Sequence, residues 1–488
     1  MVDDQRLQFV TPLPPLPTGI AQYSRDLLGA VAGRWPLVVV PEAGSSPKPV
    51  GENERVSSPR NGVPTLYQIG NSGFHRLAFQ HGLRHPGILV LHDVILHQGR
   101  LAEILRSGSG GEYLRLMRAR YGERGSEAAA AILSGKQVGE IADFPLSEDY
   151  IERAALTVVH SEYARSLVHR AVPEANVQVV PMGVPLPALV DQHDARDALA
   201  LPRDAFIVAS ITHVNPFKRL PVVLRAMRRV IAREPDALLV VAGSVSPEIN
   251  LQRQVQLLNL ERNVRLLGYV SDDEARLVAR AADACVNLRY PSAGETSASL
   301  LRLLGAGRPV LVTDDAPMAE YPRSAVLPVP VDRFEDEMVA ELLLLLAHDN
   351  DLRRDAGDAA RAFVEQSHSL DAMLQGYRAA VSRGFGIELP NFRAANVHEA
   401  EPVVVRPNKP RIPYSPLDAR IADALAGLRL SGHDATIRTV ARAAVGLRLD
   451  RLSPPVIGPE FNERVTTDPQ GTAGDPRLPG LQDPGSAR

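Results

Sequence analysis

The chain has 488 residues, enough for roughly three units at about 150 residues each. Its 54 basic and 57 acidic side chains nearly cancel, for a formal charge of −3, which argues against a strongly cationic nucleic-acid binder. A single cysteine, Cys285, excludes a disulfide scaffold, and no Cys/His cluster has zinc spacing.

The start, MVDDQRLQFV, shows no basic segment followed by an apolar core, so no secretory signal is expected. Aliphatic runs such as Leu342 to Ala347 fall far short of the ~18 residues of a membrane span. A soluble cytoplasmic protein is the expectation, with peripheral attachment at the inner membrane face left open.

Short apolar runs alternate with helical patterns through the first 200 residues. A first strand ending near Val10 is followed by strands at 37–40, 65–69, 87–91, 156–160 and 177–180, rich in Val, Ile and Leu and bounded by turn residues. The pattern restarts at 206–211 and continues at 237–241, 264–267, 284–288, 309–312 and 325–329. Between them, 221–231 places Val223, Ala226, Met227 and Val230 on one helix face. This alternation predicts an α/β protein of two Rossmann-like, doubly wound domains, 1–195 and 196–385. A ligand cleft is expected between them, beyond the carboxyl ends of the strands. From 386 to 488 the chain is proline-rich, with 13 of the 40 prolines in 103 residues. It predicts a linker, two short helices (417–429 and 434–447) and a disordered tail.

Four segments place polar chemistry at strand ends. Pro12 to Ser24 runs from a proline-rich loop through Gly19 into a helix, whose free N–H groups can hold an anion or form an ordinary cap. Tyr23 follows on that helix. Next, Tyr67 to His75 and Leu89 to His97 set Asn71, His75, His92 and Asp93 just past two strands. His92 could orient a sugar hydroxyl or act as an acid or base, although a lone histidine there is more often structural.

The third segment, His213-Val-Asn215-Pro-Phe-Lys218-Arg219, puts two cations at a helix entry. The macrodipole disfavours cations there, so a bound diphosphate would explain them; an exposed, solvated pair is the alternative. Lys218 stands out because only four basic residues are lysines, the others being Lys48, Lys136 and Lys409. The fourth segment, Leu288 to Arg302, carries Gly294, Glu295, Thr296, Ser297 and Ser299. Its hydroxyls and helix N–H groups suit phosphate oxygens, and Glu295 suits sugar hydroxyls or a helix cap. Asp349-Asn350-Asp351 spells a metal motif but falls between two helical stretches, where capping is expected, and no metal site is assigned.

In this order the segments resemble the retaining glycosyltransferases of family 4, with the GT-B fold, over about residues 8–385. The Asn-Pro-Phe-Lys-Arg stretch, Ala242-Gly243, Gly268-Tyr269-Val270 and Tyr-Pro-Ser-Ala-Gly-Glu-Thr-Ser carry the resemblance, joined by His160-Ser161 and Val180-Pro-Met-Gly183.

The resemblance implies a nucleotide-sugar donor, as substrate and without a cofactor, held mainly by the second domain. A carbohydrate, lipid-linked or small-molecule acceptor is held mainly by the first. It matches His92, Lys218 and Glu295 to catalytic positions. Gly19, Asn215, Arg219, Gly243, Tyr269, Val270, Gly294, Thr296, Ser297 and Ser299 fall on the donor side. Tyr23, Asn71, His75 and Asp93 fall on the acceptor side. A helix at 370–384 is expected to cross back onto the first domain. The sequence departs at Arg302, which stands where the family's second, ribose-binding glutamate is expected, and at His213, where many relatives carry arginine. A degenerate domain pair that binds without transfer is the competing expectation.

Overall fold

The computed structural model describes residues 6–45, 54–136, 141–186, 188–247 and 249–390. The expected linker and helices after 390 lie outside them.

The strands are β1 (Leu7–Thr11), β2 (Leu37–Pro41), β3 (Glu54–Arg55), β4 (Thr65–Ile69), β5 (Ile88–Leu91), β6 (Leu156–Val159), β7 (Val177–Val179), β8 (Ile207–Ile211), β9 (Leu238–Ala242), β10 (Val264–Gly268), β11 (Ala284–Asn287), β12 (Val310–Thr313) and β13 (Leu327–Val329). In the first half the helices are α1 (Gly19–Val31), α2 (Arg76–Gly82), α3 (His97–Ser107), α4 (Gly110–Leu133), α5 (Glu148–Arg153), α6 (Glu162–Ala171) and α7 (Gln192–Ala198). In the second they are α8 (Leu220–Ile231), α9 (Leu251–Leu257), α10 (Asp272–Ala281), α11 (Ala298–Gly305), α12 (Glu335–His348), α13 (Asn350–Ser367) and α14 (Leu370–Phe385).

Two all-parallel sheets result, ordered β3-β2-β1-β4-β5-β6-β7 and β10-β9-β8-β11-β12-β13. Both are buried by helices, which is why their strands read as continuous Val/Ile/Leu runs. Each sheet changes direction beside its first strand, β1 or β8, which places the chain turns after β1, β4, β5, β8 and β11 at the two crevices. β3 went unforeseen because two charged residues on an edge carry no periodicity.

The segment α7 straddles residue 195 and packs on α10, so it belongs with the second sheet. α14 packs on α1, β5 and β6 of the first sheet. Its Met373, Leu374, Tyr377 and Val381 join Ile88, Val90 and Leu156 in one core. Burial of each such aliphatic side chain contributes about 1.5–3 kcal/mol.

Charged ties also join the halves. Arg302 on α11 pairs with Asp26 on α1 (2.8 Å) and Asp272 on α10 (3.3 Å), while Arg25 reaches Asp272 (2.6 Å). Across the other side, the N–H groups of Glu162 and Tyr163 at the start of α6 donate to the Glu320 carboxylate. Asp349 caps α13 by accepting the Leu352 N–H (2.8 Å).

Candidate active site

The second sheet supplies a charged wall. Beyond β11 the chain runs into Arg289, which is buried. Its guanidinium donates to Glu295 (3.0 Å) and Ser297 (2.5 Å), and its N–H donates to Thr313 on β12 (2.9 Å). The other Glu295 oxygen accepts the Ala293 N–H (2.7 Å) and the Ser292 hydroxyl (3.1 Å). Burial alone would raise the Glu295 carboxyl. Arg289, the local N–H groups and Lys218 outweigh it, and the group lies below its ordinary range. Ser297 caps α11 through the Leu300 N–H (3.2 Å), and its hydroxyl lies 3.1 Å from that of Ser299. Thr296 is half-buried in the same loop.

Gly294 has φ +87°, and a Cβ there would lie 2.8 Å from Leu167 and 3.2 Å from Val94 of the facing domain. Only glycine meets both demands.

Lys218 ends a 3-10 turn (Pro216–Lys218) that follows β8. Asn215 caps this turn, its side chain accepting the Phe217 N–H (3.1 Å). Among the described residues the Lys218 ammonium has no ion-pair or hydrogen-bond partner. Burial and the Arg289 charge pull it down to about 8, opposed by Glu295 and Asp93.

Arg219 corrects the expectation of two phosphate-facing cations. Its guanidinium forks onto the carboxylate of Glu335, which is buried in the first turn of α12, with Nε at 2.6 Å from one oxygen and the second contact at least as close. A buried carboxylate needs such a partner, and the pair leaves Lys218 as the cation without one.

Farther along this wall, Gly243 has φ +142°, and a Cβ would strike the Thr212 carbonyl. His213 is held by the hydroxyls of Ser244 (2.8 Å) and Ser246 (3.0 Å). Tyr269 is 80% exposed and Val270 half-buried beyond β10.

The first sheet supplies a mostly neutral wall. Asp93, after β5, accepts the Asn71 N–H (2.7 Å). Burial and the Glu295 charge raise its carboxyl to about 6, against Asn71, Lys218 and Arg289. The Ile95 N–H reaches the Ala293 carbonyl (3.5 Å) and the Tyr290 N–H the Phe217 carbonyl (2.9 Å), which brings the turns carrying Asp93, Glu295, Lys218 and Arg289 around one space between the sheets. His92 is buried, with Nε2 at 2.6 Å from Gln68 Oε1. Burial, His160 and His75 hold it well below its ordinary pKa, as neutral imidazole. Gly19, at the exposed start of α1, has open space where a side chain would stand.

Two acceptor-side expectations need correction. Tyr23 is buried and bonded to the Tyr377 hydroxyl of α14 (2.6 Å), so it lies beneath the wall. His75 is wholly buried, its Nδ1 on the Gln68 carbonyl (3.0 Å) and its pKa lowered to about 4 by burial. Tyr23 and His75 resemble cleft residues in sequence because polar side chains near strand ends look alike there, whether they face out or support from below. Asn71, just past β4, is half-buried, with its side chain tied to Gln98 and to the Gly99 N–H of α3.

Sequence reasoning also missed Arg289, Gln68, Glu335 and Tyr377. Gln68 had a signal: a lone amide within the apolar strand Thr65-Leu-Tyr-Gln-Ile must find buried partners.

Two parallel α/β sheets with a polar cleft and a returning C-terminal helix define the GT-B class. Residues 191–363 match the family described as glycosyl transferases group 1. A D-inositol 3-phosphate glycosyltransferase from Mycolicibacterium gilvum (strain PYR-GCK) is 30% identical over 249 residues, 48% of this chain and 54% of the relative. A protein of the same description from Mycobacterium leprae (strain Br4923) is 28% identical over 299 residues, 56% and 64% respectively. The chain thus spans between half and two thirds of these relatives' length.

Among solved structures, sucrose-phosphate synthase (tll1590) from Thermosynechococcus elongatus aligns with TM-score 0.58 and 17% identity, covering 78% of this chain and 99% of that one. Anabaena Alr3699/HepE in complex with UDP and glucose aligns with TM-score 0.55 and 14% identity, covering 78% and 99%. At these identities the likeness concerns the fold.

Proposed function

We propose that the protein is a retaining, metal-independent glycosyltransferase that moves a sugar from a nucleotide-sugar donor to a hydroxyl of a carbohydrate, lipid-linked or small-molecule acceptor. Lys218 carries this assignment: a part-buried ammonium without a partner, at a helix entry facing the cleft, is a site for the donor's diphosphate. Breaking the bond from the anomeric carbon to the phosphate oxygen builds negative charge on the leaving group. Lys218, with the N–H groups at the starts of α1 and α11, meets that charge. The acceptor oxygen bonds to the anomeric carbon on the face the phosphate leaves, and its proton passes to the departing phosphate oxygen. Glu295, kept ionised by Arg289, and His92 receive sugar hydroxyls. The match of residues 191–363 to the group 1 family and the UDP and glucose named with the Anabaena structure support the choice of donor.

The purified protein, offered a panel of UDP-, GDP- and ADP-sugars with chelator present, is expected to hydrolyse or transfer one of them. NMR of the product is expected to show the donor's anomeric configuration. Binding of a donor without turnover, with every acceptor tried, favours the competing module, for which the engagement of Arg302 by Asp26 and Asp272 is the supporting observation. Inversion of configuration, or turnover that chelator abolishes, overturns the corresponding part of the proposal.

A further inference from the structure

Gln68 lies wholly buried on β4, between the crossing helix and the cleft. Its Oε1 is 2.6 Å from His92 Nε2, and its Nε2 is 3.5 Å from the Tyr377 hydroxyl, which bonds Tyr23 at 2.6 Å. A chain of four polar groups therefore runs from α1 and α14 to His92. In this arrangement the amide turns its oxygen to His92 and its NH2 group to the Tyr377 hydroxyl. An amide oxygen only accepts, so with it His92 Nε2 carries the proton and Nδ1 keeps its lone pair.

Neighbouring histidines show the contrast. Nε2 of His75 and of His160 is sealed from solvent and unpartnered, because each ring donates its Nδ1 proton to a backbone carbonyl. Nδ1 of His92 also lacks a partner but is not sealed in this way. The groups facing this ring are Tyr23 edge-on at 4.7 Å, His160 at 4.9 Å, Gln68, and more distantly His75, with Asp93 next in the chain.

We infer that Gln68 is a positioning residue, held by Tyr377 of α14, that fixes His92 as the Nε2–H tautomer and so makes it a hydrogen-bond acceptor for a sugar hydroxyl. The sugar contact rests on the function proposed above; the tautomer does not. Because α14 returns from the second domain, the seating of that helix and the state of His92 are one structural unit.

Long-range ¹⁵N–¹H spectra of the full chain with labelled histidine test the tautomer without requiring activity. They are expected to show His92 Nδ1 unprotonated through neutral pH. Gln68→Met is expected to mix the tautomers and lower kcat by about tenfold or more, the scale of losing a histidine's orienting partner, with donor KM changed far less. Gln68→Glu retains an acceptor for Nε2–H but draws a second proton onto Nδ1. Its activity is expected to fall on the acid side and recover as pH rises, a limb absent from the wild type. Tyr377→Phe is expected to give a smaller loss of the same kind. A protonated Nδ1 in the wild type, or a Gln68→Met spectrum identical to it, overturns the inference even if that variant is poorly active. An Nε2–H tautomer in a protein that transfers no sugar would instead overturn the proposed function and leave the role of Gln68 standing.

Discussion

The two walls of the cleft solve the problem of buried polarity in opposite ways. On the first-domain side the histidines are held neutral: His75, His92 and His160 all lie below their ordinary pKa through burial, and Asp93, raised to about 6, keeps its proton only on the acid side of neutrality. On the second-domain side charge is kept: Glu295 stays ionised beside Arg289, and Lys218 stands nearby without a counter-ion. A neutral wall can sort hydroxyls by hydrogen-bond direction, while a charged wall can hold an anion and answer charge that develops on it. The contrast assigns the diphosphate to one side and the sugar and acceptor hydroxyls to the other.

Removing Lys218 should break the charged wall most severely. Lys218→Ala is expected to lower kcat/KM for the donor by about 10²–10³-fold, the scale of losing one preorganised charge-stabilising donor, with the fold retained. Wild-type kcat/KM should also fall as pH rises through about 8, where the free ammonium loses its proton. Lys218→Arg should remove that limb. If it also retains full activity, the choice of lysine has no functional basis.

Arg219 tests which cations belong to the wall. Its fork onto buried Glu335 predicts that Arg219→Ala costs about 1–3 kcal/mol of stability, between the exposed and buried ion-pair ranges, in denaturant titrations. Donor KM should then move little. A large KM effect with unchanged stability would return Arg219 to the phosphate site.

Asp93 tests the neutral wall. A carboxyl raised from 3.8 to about 6 favours the protonated fold, so its contribution is complete below pH 3.8 and lost as pH rises through about 6. Asp93→Asn keeps an acceptor for the Asn71 N–H and cannot ionise. It should raise the melting temperature at pH 8 and change it little at pH 4. Destabilisation at pH 8 would mean that ionised Asp93 is paired favourably with Lys218 after all.

The contrast between the walls was only half legible in sequence. The strands and the helix at 220–231 announced themselves through aliphatic runs and 3.6-residue spacing, and each site segment fell at a strand end as α/β topology requires. Local patterns do not record which side chains meet across 100 residues or more. Arg219 finds Glu335, and Tyr23 finds Tyr377, through contacts that exist only after α12 and α14 have packed. The same blindness made His75 look like a cleft residue and hid Arg289, whose importance lies in the loop that folds back over it.

Arg302 should give the smallest effect. It lies at the rim where the walls meet, bonded to Asp26 of α1 and Asp272 of α10, and its side chain is 32% exposed. Exposed pairs contribute about 0.2–1 kcal/mol, and salt screens them within about 10 Å at 0.1 M. Asp26 is the less ordinary partner: burial raises its carboxyl, and Arg302 and Arg25 pull it back. Arg302→Met therefore removes the leading counter-charge from Asp26 while preserving much of the side chain's bulk. The variant should melt slightly lower than the wild type in low salt, and the gap should close as salt rises. It should also narrow toward acid, where Asp26 is protonated and needs no partner. A gap independent of both salt and pH would mean that Arg302 acts through packing of its aliphatic stem between α1 and α11, and that the two walls are joined at this edge by shape rather than by charge.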